Sequence, residues 1–319
     1  MAKRVSLGVD LAGLQLPTPV LGASGCFGSG QELSSIVDLK RVGGIVTKTV
    51  TAEPTKGLPA PRMGETSSGM LNAIGIQNPG VEAFVQKEGA WIARAGAPII
   101  VSIAGKTVQE FANVAVRVSQ IPGVRAIEAN ISSPNFNRGG QLFARDHQAA
   151  AEVVGTVTRM THLPVFAKLT ADVTDIVEVA EACVRAGAHG LSMINTLSGM
   201  AIDVETFKPL LGAVTGGLSG PAIRPVAVRA VFQVARALPE VPIMGIGGIT
   251  DTSSAIEFLL AGAWAVQVGT ANYYNPEVVT DIAQGIGEFL LRRGLRSPAD
   301  LRGKVIAPSS SPEPAYHGG

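Results

Sequence analysis

Residues 130–135 of the chain set two carboxamide side chains around a hydroxyl. The sequence there is Asn-Ile-Ser-Ser-Pro-Asn, with Asn130 and Asn135 at its ends and Ser133 between them. Each carboxamide offers both donors and an acceptor, which suits a ligand edge that alternates N–H and C=O groups. We take Ser133 as the candidate proton acceptor, although a serine needs a neighbouring base, a water chain or a desolvated site for acid–base work.

Other polar side chains come at the ends of apolar runs. These are Lys48, Asn72 in the connection that follows it, Lys168, and the pair Asn195-Thr196. A lysine inside a buried strand is costly unless it meets an anion or a polarised cofactor atom. Together with the asparagines, the two lysines predict a pocket for a planar, anionic, amide-rich ligand.

Glycines end the last two apolar runs, at Gly247-Gly248 and at Gly269-Thr270. In (β/α)₈ barrels, the loops after strands seven and eight often hold a phosphate with backbone N–H groups and a helix N-terminus. Glycines also permit tight turns between a strand and a helix, and this simpler explanation stays open for each pair.

The elements that must position these residues alternate along the chain. Short β-branched runs occur at 19–24, 43–50, 98–104, 126–132, 165–170, 190–195, 241–248 and 265–270. Amphipathic stretches lie between them, for example at 107–119, 147–160, 174–186, 225–238 and 252–262. Eight buried parallel strands that alternate with helices are typical of an α/β fold of the (β/α)₈ TIM-barrel type. A doubly wound sheet is the alternative, but it normally has fewer units.

Three further segments frame this barrel. Residues 5–16 predict an N-terminal hairpin at the barrel floor. The connections 51–90 and 196–224 are long enough to act as functional loops over the carboxyl ends of the strands, where barrel active sites lie. We expect residues 1–306 to form a single barrel domain and the Pro- and Ser-rich residues 307–319 to form a flexible tail.

Composition excludes several classes of protein. The 319 residues are 46% hydrophobic and 16% charged, which indicates a large core and argues against disorder. A net charge of +1 argues against nucleic acid as a main partner. The two cysteines, Cys26 and Cys183, are far apart; they predict small core residues rather than a disulfide framework, zinc site or iron–sulfur cluster. With no signal peptide and no long apolar run, we expect a cytoplasmic protein without metal or membrane partner.

A set of motifs resembles the dihydroorotate dehydrogenases, in that family's order across roughly residues 7–275. The motifs are ASGCFGSG, VTKTVTAEP, GMLNAIGIQNPG, ANISSPN, AKLT, INT, GGLSGPAIRPVA, GIGGI and VGTANY. They are most similar to the soluble class 1 enzymes, and within these to the NAD-linked subclass 1B. In that subclass a flavin-containing catalytic subunit works with a separate electron-transfer subunit.

The resemblance implies an FMN-containing barrel that oxidises (S)-dihydroorotate to orotate in pyrimidine (UMP) biosynthesis. Hydride would pass from C6 of the substrate to N5 of the flavin, while a base centred on Ser133 takes a proton from C5; Lys48 is the other catalytic candidate. The residues expected to bind orotate are Lys48, Asn72, Ile74, Gly75, Ile76, Asn130, Asn135, Asn195 and Thr196. Those expected to bind FMN are Ala23, Ser24, Gly25, Lys48, Thr49, Asn130, Lys168, Ile194, Gly220, Gly247, Gly248, Gly269 and Thr270, with Lys168 beside flavin N1.

Ser133 departs from the pattern of the soluble subclasses, which typically have cysteine there in the order N-x-S-C-P-N. Serine is typical of the membrane-associated subclass, whose N-terminal helical extension we do not expect, because the hairpin begins within the first ten residues. A thiol ionises far more easily than a hydroxyl. A serine base therefore implies water-assisted deprotonation or a more closed, hydrophobic pocket.

The resemblance also implies a homodimer and a separate subunit with FAD and a [2Fe–2S] cluster that passes electrons to NAD⁺. Two other functions stay open. A dihydropyrimidine (uracil-type) dehydrogenase is disfavoured by Asn135, because that family typically has S-C-P-H. A non-catalytic FMN-binding barrel would retain the phosphate glycines without needing the intact set Lys48, Asn72 and Asn195.

Overall fold

A computed structural model describes residues 5–133, 137, 138 and 141–306; for 137, 138, 141 and 142 it describes the backbone alone. Asn135 and the predicted tail 307–319 lie outside the described residues. The assignment of residues 1–306 to one domain stays a prediction.

The strands are numbered along the chain. The first nine are β1 Val9–Leu11, β2 Leu14–Leu16, β3 Val20–Gly22, β4 Gly44–Val46, β5 Met63–Thr66, β6 Gly69–Asn72, β7 Ile99–Ile103, β8 Val124–Ala129 and β9 Asn137–Arg138. The others are β10 Gln141–Leu142, β11 Val165–Leu169, β12 Gly190–Met193, β13 Leu197–Gly199, β14 Ile202–Asp203, β15 Lys208–Pro209, β16 Gly216–Ser219, β17 Ile243–Ile246 and β18 Ala265–Val268.

The helices are numbered in the same way. They are α1 Val81–Ile92, α2 Val108–Ser119, α3 His147–Met160, α4 Ile176–Arg185, α5 Arg224–Ala237, α6 Thr252–Ala261 and α7 Val278–Arg293. Helices α2, α3, α4 and α6 begin after Thr107, Asp146, Asp175 and Asp251, whose side chains accept hydrogen bonds from backbone N–H groups of the first turn. Such caps satisfy donors that the helix leaves open and are worth about 1 kcal/mol each.

The predicted (β/α)₈ barrel is confirmed. Strands β3, β4, β7, β8, β11, β12, β17 and β18 form a closed parallel barrel in chain order, and each overlaps one of the eight predicted runs. The predicted runs extend past the strands at their carboxyl ends, because residues such as Lys48, Asn130 and Asn195 leave the ladder and enter the loops above it. Polar side chains at these positions can therefore reach a common space.

The N-terminal hairpin closes the barrel floor, as predicted. Strands β1 and β2 pair antiparallel, and Leu11, Leu14 and Leu16 pack in one buried cluster with barrel residues that include Phe166 and Met244. Full burial of such a side chain contributes about 1.5–3 kcal/mol. The floor is thus sealed by apolar contacts, and the opposite end of the barrel carries the polar residues.

The two long connections form a structure that the sequence did not predict. Strands β5 and β6 from the first connection join β13 and β16 from the second in one antiparallel sheet, in the order β13-β16-β6-β5. Leu71 pairs with Leu218, and Leu71 and Leu211 are the core of a separate apolar cluster. The first connection is also shorter than predicted, since α1 begins at Val81. This four-stranded sheet, called the cover sheet below, therefore gives the loops over the barrel a folded structure.

Candidate functional site

A cavity of about 890 Å³ lies between the carboxyl ends of the barrel strands and the cover sheet. Its volume is near the upper end of the range for small-molecule sites, so a cofactor and a second ring could share it. All predicted site residues that the structure describes line it: Ala23, Ser24, Gly25, Lys48, Thr49, Asn72, Ile74, Gly75, Ile76, Asn130, Ser133, Lys168, Ile194, Asn195, Thr196, Gly220, Gly247, Gly248, Gly269 and Thr270. Asn135 lies outside the described residues, and the individual roles stay predictions.

Asn130 and Asn195 belong to one hydrogen-bond network at the ends of β8 and β12. The Asn195 Nδ2 donates to Ser132 Oγ at 3.0 Å and lies 3.4 Å from Asn130 Oδ1. Asn130 Nδ2 donates to Thr49 Oγ1 at 3.1 Å. These contacts fix both carboxamides at the cavity wall, which reduces the entropy that a ligand must remove when it binds.

The side chain of Asn72 is held in place by a hydrogen bond within the cover sheet. Its Nδ2 donates to the backbone oxygen of Gly217 at 3.3 Å, across the β6–β16 pairing. The side chain therefore depends on contact between the two long connections, and it lines the cavity opposite the barrel strands.

Ser133 lies in the cavity wall and is only 5% exposed. Its neighbour Ser132 is also buried and lines the same cavity. A hydroxyl in this position is largely removed from solvent, which agrees with one of the two routes expected for a serine base, a more closed pocket.

Lys48 follows β4 and reaches the turn at Ala23–Gly25: its Nζ lies 3.9 Å from where a Cβ of Gly25 would stand. Burial lowers the pKa of the Lys48 amine below its ordinary value, and the positive charge of Lys168 acts in the same direction, while Cys26 opposes both. No ion pair with Lys48 is found among the described residues. An anionic ligand would stabilise the charged amine here.

Lys168 on β11 has a buried acidic partner that the sequence analysis missed. Its Nζ lies 3.3 Å from Glu128 Oε1 on β8, and the side chains are 6% and 0% exposed. Gln267 on β18 donates to the other oxygen, Glu128 Oε2, at 3.1 Å. The sequence did contain a signal for this cluster, because Glu128 and Gln267 lie inside barrel strands. Such side chains are rarely fully buried without partners.

Glycines with positive φ line one end of the cavity. Gly220 has φ 86°, Gly247 has φ 130° and Gly248 has φ 72°, values that a side chain would strain. A Cβ at Gly248 would stand 2.8 Å from the backbone oxygen of Gly220. Helix α5 begins at Arg224, shortly after Gly220 in the chain. A helix N-terminus and bare backbone therefore adjoin the cavity, which suits an anion.

Further lining residues were not predicted. Ser219 Oγ accepts a hydrogen bond from Thr270 Oγ1 at 2.8 Å, and Tyr273 donates its hydroxyl to the Gly25 oxygen at 3.1 Å. Cys26 also lines the cavity, so the prediction that it is a core residue was wrong. It directly follows the turn Ala23–Gly25, which lines the cavity as well. Burial raises the pKa of the Cys26 thiol, and it raises that of Cys183 in the core to about 12.

The described residues contain neither a metal-binding cluster nor a candidate membrane-spanning helix. None of their His, Cys, Asp and Glu side chains form a group suited to bind a metal ion. No helix in the same part of the chain is long and apolar enough to cross a bilayer.

Comparison with known proteins gives one consistent result. The profile of the family described as "Dihydroorotate dehydrogenase" matches residues 6–290. The chain is similar to three proteins named "Dihydroorotate dehydrogenase B (NAD(+)), catalytic subunit". The protein of Geotalea daltonii is 48% identical over 94% of this chain and 98% of its own length. That of Pelobacter propionicus is 50% identical over 93% and 97%, and that of Desulforudis audaxviator 51% over 94% and 97%.

Proposed function

Because the chain belongs to the dihydroorotate dehydrogenase family, of the B type in which the relatives are catalytic subunits, we propose that it oxidises (S)-dihydroorotate to orotate in pyrimidine biosynthesis. The observation that carries the proposal is one cavity that brings Lys48, Lys168 and the carboxamides of Asn72, Asn130 and Asn195 around Ser133. An anionic, amide-edged pyrimidine matches this set of donors and acceptors.

FMN is the proposed cofactor, in a family that depends on flavin. Its phosphate would lie on the backbone of Gly220, Gly247-Gly248 and Gly269-Thr270, and Lys168 would stabilise negative charge on the ring. Bound there, FMN supplies the acceptor for the hydride that leaves C6 of the substrate. The positive-φ glycines and the size of the cavity support this placement.

The chain's own residues bind and deprotonate the substrate in this proposal. Lys48 pairs with the substrate carboxylate, and Asn72, Asn130, Asn195 and the undescribed Asn135 hold the ring amides. Ser133 takes the proton from C5 while its own hydroxyl proton passes to a water molecule in the cavity, because a neutral serine cannot keep a second proton. Orotate formation with an artificial electron acceptor tests the function, and dihydrouracil is the comparison substrate. Turnover of dihydrouracil in preference to dihydroorotate would contradict the proposal.

Gly248→Ala is expected to lower FMN content to less than about a tenth of wild type, by loss of more than about 1.4 kcal/mol of binding. The new Cβ would stand 2.7 Å from Arg224 Cβ and 2.8 Å from the Gly220 oxygen, so the phosphate loop must shift. Gly303→Ala is the matched control: its φ of 67° gives similar strain, but nothing lies within 4 Å of its Cβ. Bound flavin is measured after gel filtration. If both variants lost FMN equally, general backbone strain, rather than the close contacts at Gly248, would explain the loss.

Orotate binding is expected to weaken as the pH rises. Burial lowers the pKa of Lys48, so the amine loses its charge at a pH below its ordinary 10.5. The neutral amine cannot pair with the substrate carboxylate, and about tenfold in affinity is lost with that charge-assisted bond. The dissociation constant, measured by titration of the flavin spectrum, should rise through this transition. Lys48→Arg should give a flat profile, because guanidinium stays charged; a wild-type profile equally flat would contradict the role of Lys48.

We also propose a homodimer that works with a separate subunit carrying FAD and a [2Fe–2S] cluster, which transfers electrons to NAD⁺. The relatives are named as an NAD(+)-type "catalytic subunit", which supports a partner of this kind. Co-purification from the native source should yield a second polypeptide with iron and FAD. The proposal of a partner subunit would be contradicted if this chain alone formed an iron-free oligomer that was still active with NAD⁺.

A further inference from the structure

Behind Lys168 the barrel interior holds two buried polar residues, Glu128 and Gln267, that have no role in the proposed reaction. Lys168 lines the cavity, whereas Glu128 and Gln267 are fully buried behind it. Glu128 Oε1 accepts from Lys168 Nζ at 3.3 Å, and Glu128 Oε2 accepts from Gln267 Nε2 at 3.1 Å. Each carboxylate oxygen therefore has its own donor, from a different strand of the barrel.

The contacts of Glu128 suit an acceptor-only carboxylate, because the Lys168 ammonium lies at one of its oxygens and the Gln267 amide donates to the other. Gln267 Nε2 also lies 3.4 Å from Ser192 Oγ, while Gln267 Oε1 is buried with no hydrogen-bond partner among the described residues. Such an orphaned acceptor is costly. Turning the amide over would set its oxygen against Glu128 Oε2, and an ionised carboxylate has no proton to donate. Gln267 is therefore held in place by an acceptor-only Glu128.

A buried ion pair is a poor source of stability, because apolar side chains of similar volume often serve equally well. This pair has a different consequence for the cavity. Glu128 fixes the ammonium of Lys168 at the wall, and its negative charge opposes the positive potential that Lys168 directs at a ligand. The two charges together set the electrostatic environment of whatever lies next to Lys168.

We propose that Glu128 is a positioning residue for the flavin, which orients the Lys168 ammonium and limits how strongly it stabilises the anionic reduced ring. Gln267 in turn positions Glu128. The inference rests on the proposed FMN site. The proposal predicts that Glu128 keeps the reduction potential of bound FMN lower than it would be if Lys168 acted alone.

The test measures how tightly the apoprotein binds oxidised FMN and dithionite-reduced FMN, so no dihydroorotate is involved. Glu128→Gln removes the charge, and once the Gln267 amide turns over, the new amide can donate to the Gln267 oxygen that has no partner in the wild type, which favours folding. We expect the affinity for reduced FMN relative to oxidised FMN to rise about tenfold, because the unopposed ammonium favours the anionic ring. For a two-electron couple this equals a rise of about 30 mV in potential.

Two variants separate charge from shape. Glu128→Asp keeps the charge and should stay within about threefold of the wild-type ratio, and so should Ser192→Ala, which removes a polar neighbour without changing charge. A Glu128→Gln ratio within about threefold of wild type, or one shifted towards oxidised FMN, overturns the proposal. An equal shift in Glu128→Asp also overturns it. A wild-type chain that binds no FMN would instead refute the proposed cofactor, and this inference with it.

Discussion

Ser133→Ala is expected to lower kcat by about 10²–10⁴-fold, the usual contribution of a positioned acid–base group. The hydroxyl lies in the buried wall of the cavity, where the proposed substrate carbon must lose its proton. Alanine keeps the backbone and removes one oxygen, so bound FMN and the KM for dihydroorotate should stay close to wild type. Stopped-flow reduction of the flavin by dihydroorotate measures the step directly.

Ser132→Ala is the matched control for Ser133→Ala. Ser132 accepts the hydrogen bond from Asn195 Nδ2, so its loss should raise KM more than it lowers kcat. Ser133→Cys should restore turnover and move the pH profile downwards, because a thiol has a pKa near 8.5. Flavin reduction in Ser133→Ala at the wild-type rate would remove Ser133 from the mechanism.

Lys168→Met is expected to destabilise the apoprotein by about 3–5 kcal/mol, because it leaves a buried carboxylate without its cation. Glu128 is 0% exposed and its ion pair with Lys168 is the one found for it among the described residues. Adding Glu128→Gln to Lys168→Met should recover most of this loss, since a neutral amide needs no counter-ion. The free energy of unfolding comes from urea titrations without FMN.

Lys48→Met is the control for the stability effect. Burial already disfavours the charge on Lys48, and no acidic partner is found for it in the described part of the chain. Its replacement should change the free energy of unfolding by less than about 1 kcal/mol. Equal stabilities for Lys168→Met and the double variant would contradict an ionised Glu128.

The barrel and most of the candidate site could be predicted from local patterns. The eight apolar runs and the residues after them, such as Lys48 and Asn195, are defined by their immediate neighbours in sequence. Because parallel strands end at one rim, residues at the ends of different strands must meet there. This topological rule converts positions in sequence into a shared cavity without knowledge of any side-chain contact.

The cover sheet and the buried cluster depend on distant contacts and were missed. Asn72 reaches Gly217 across a separation of 145 residues, and Gln267 reaches Glu128 across 139. Hydrophobic periodicity reports burial within one element and carries no information on which elements pair. The polar residues inside strands β8 and β18 were nevertheless visible, and they show that a charged residue in an apolar run indicates a partner elsewhere.

Anaerobic titration of the FMN-loaded protein with dihydroorotate tests the central claim most directly. We predict that the flavin absorption bleaches in proportion to the added substrate, up to one equivalent per bound flavin, and that orotate appears in the same amount. The Ser133→Ala protein should bleach to the same end point but far more slowly. No bleaching, or bleaching by dihydrouracil in preference to dihydroorotate, would contradict the assignment of this cavity as a dihydroorotate site.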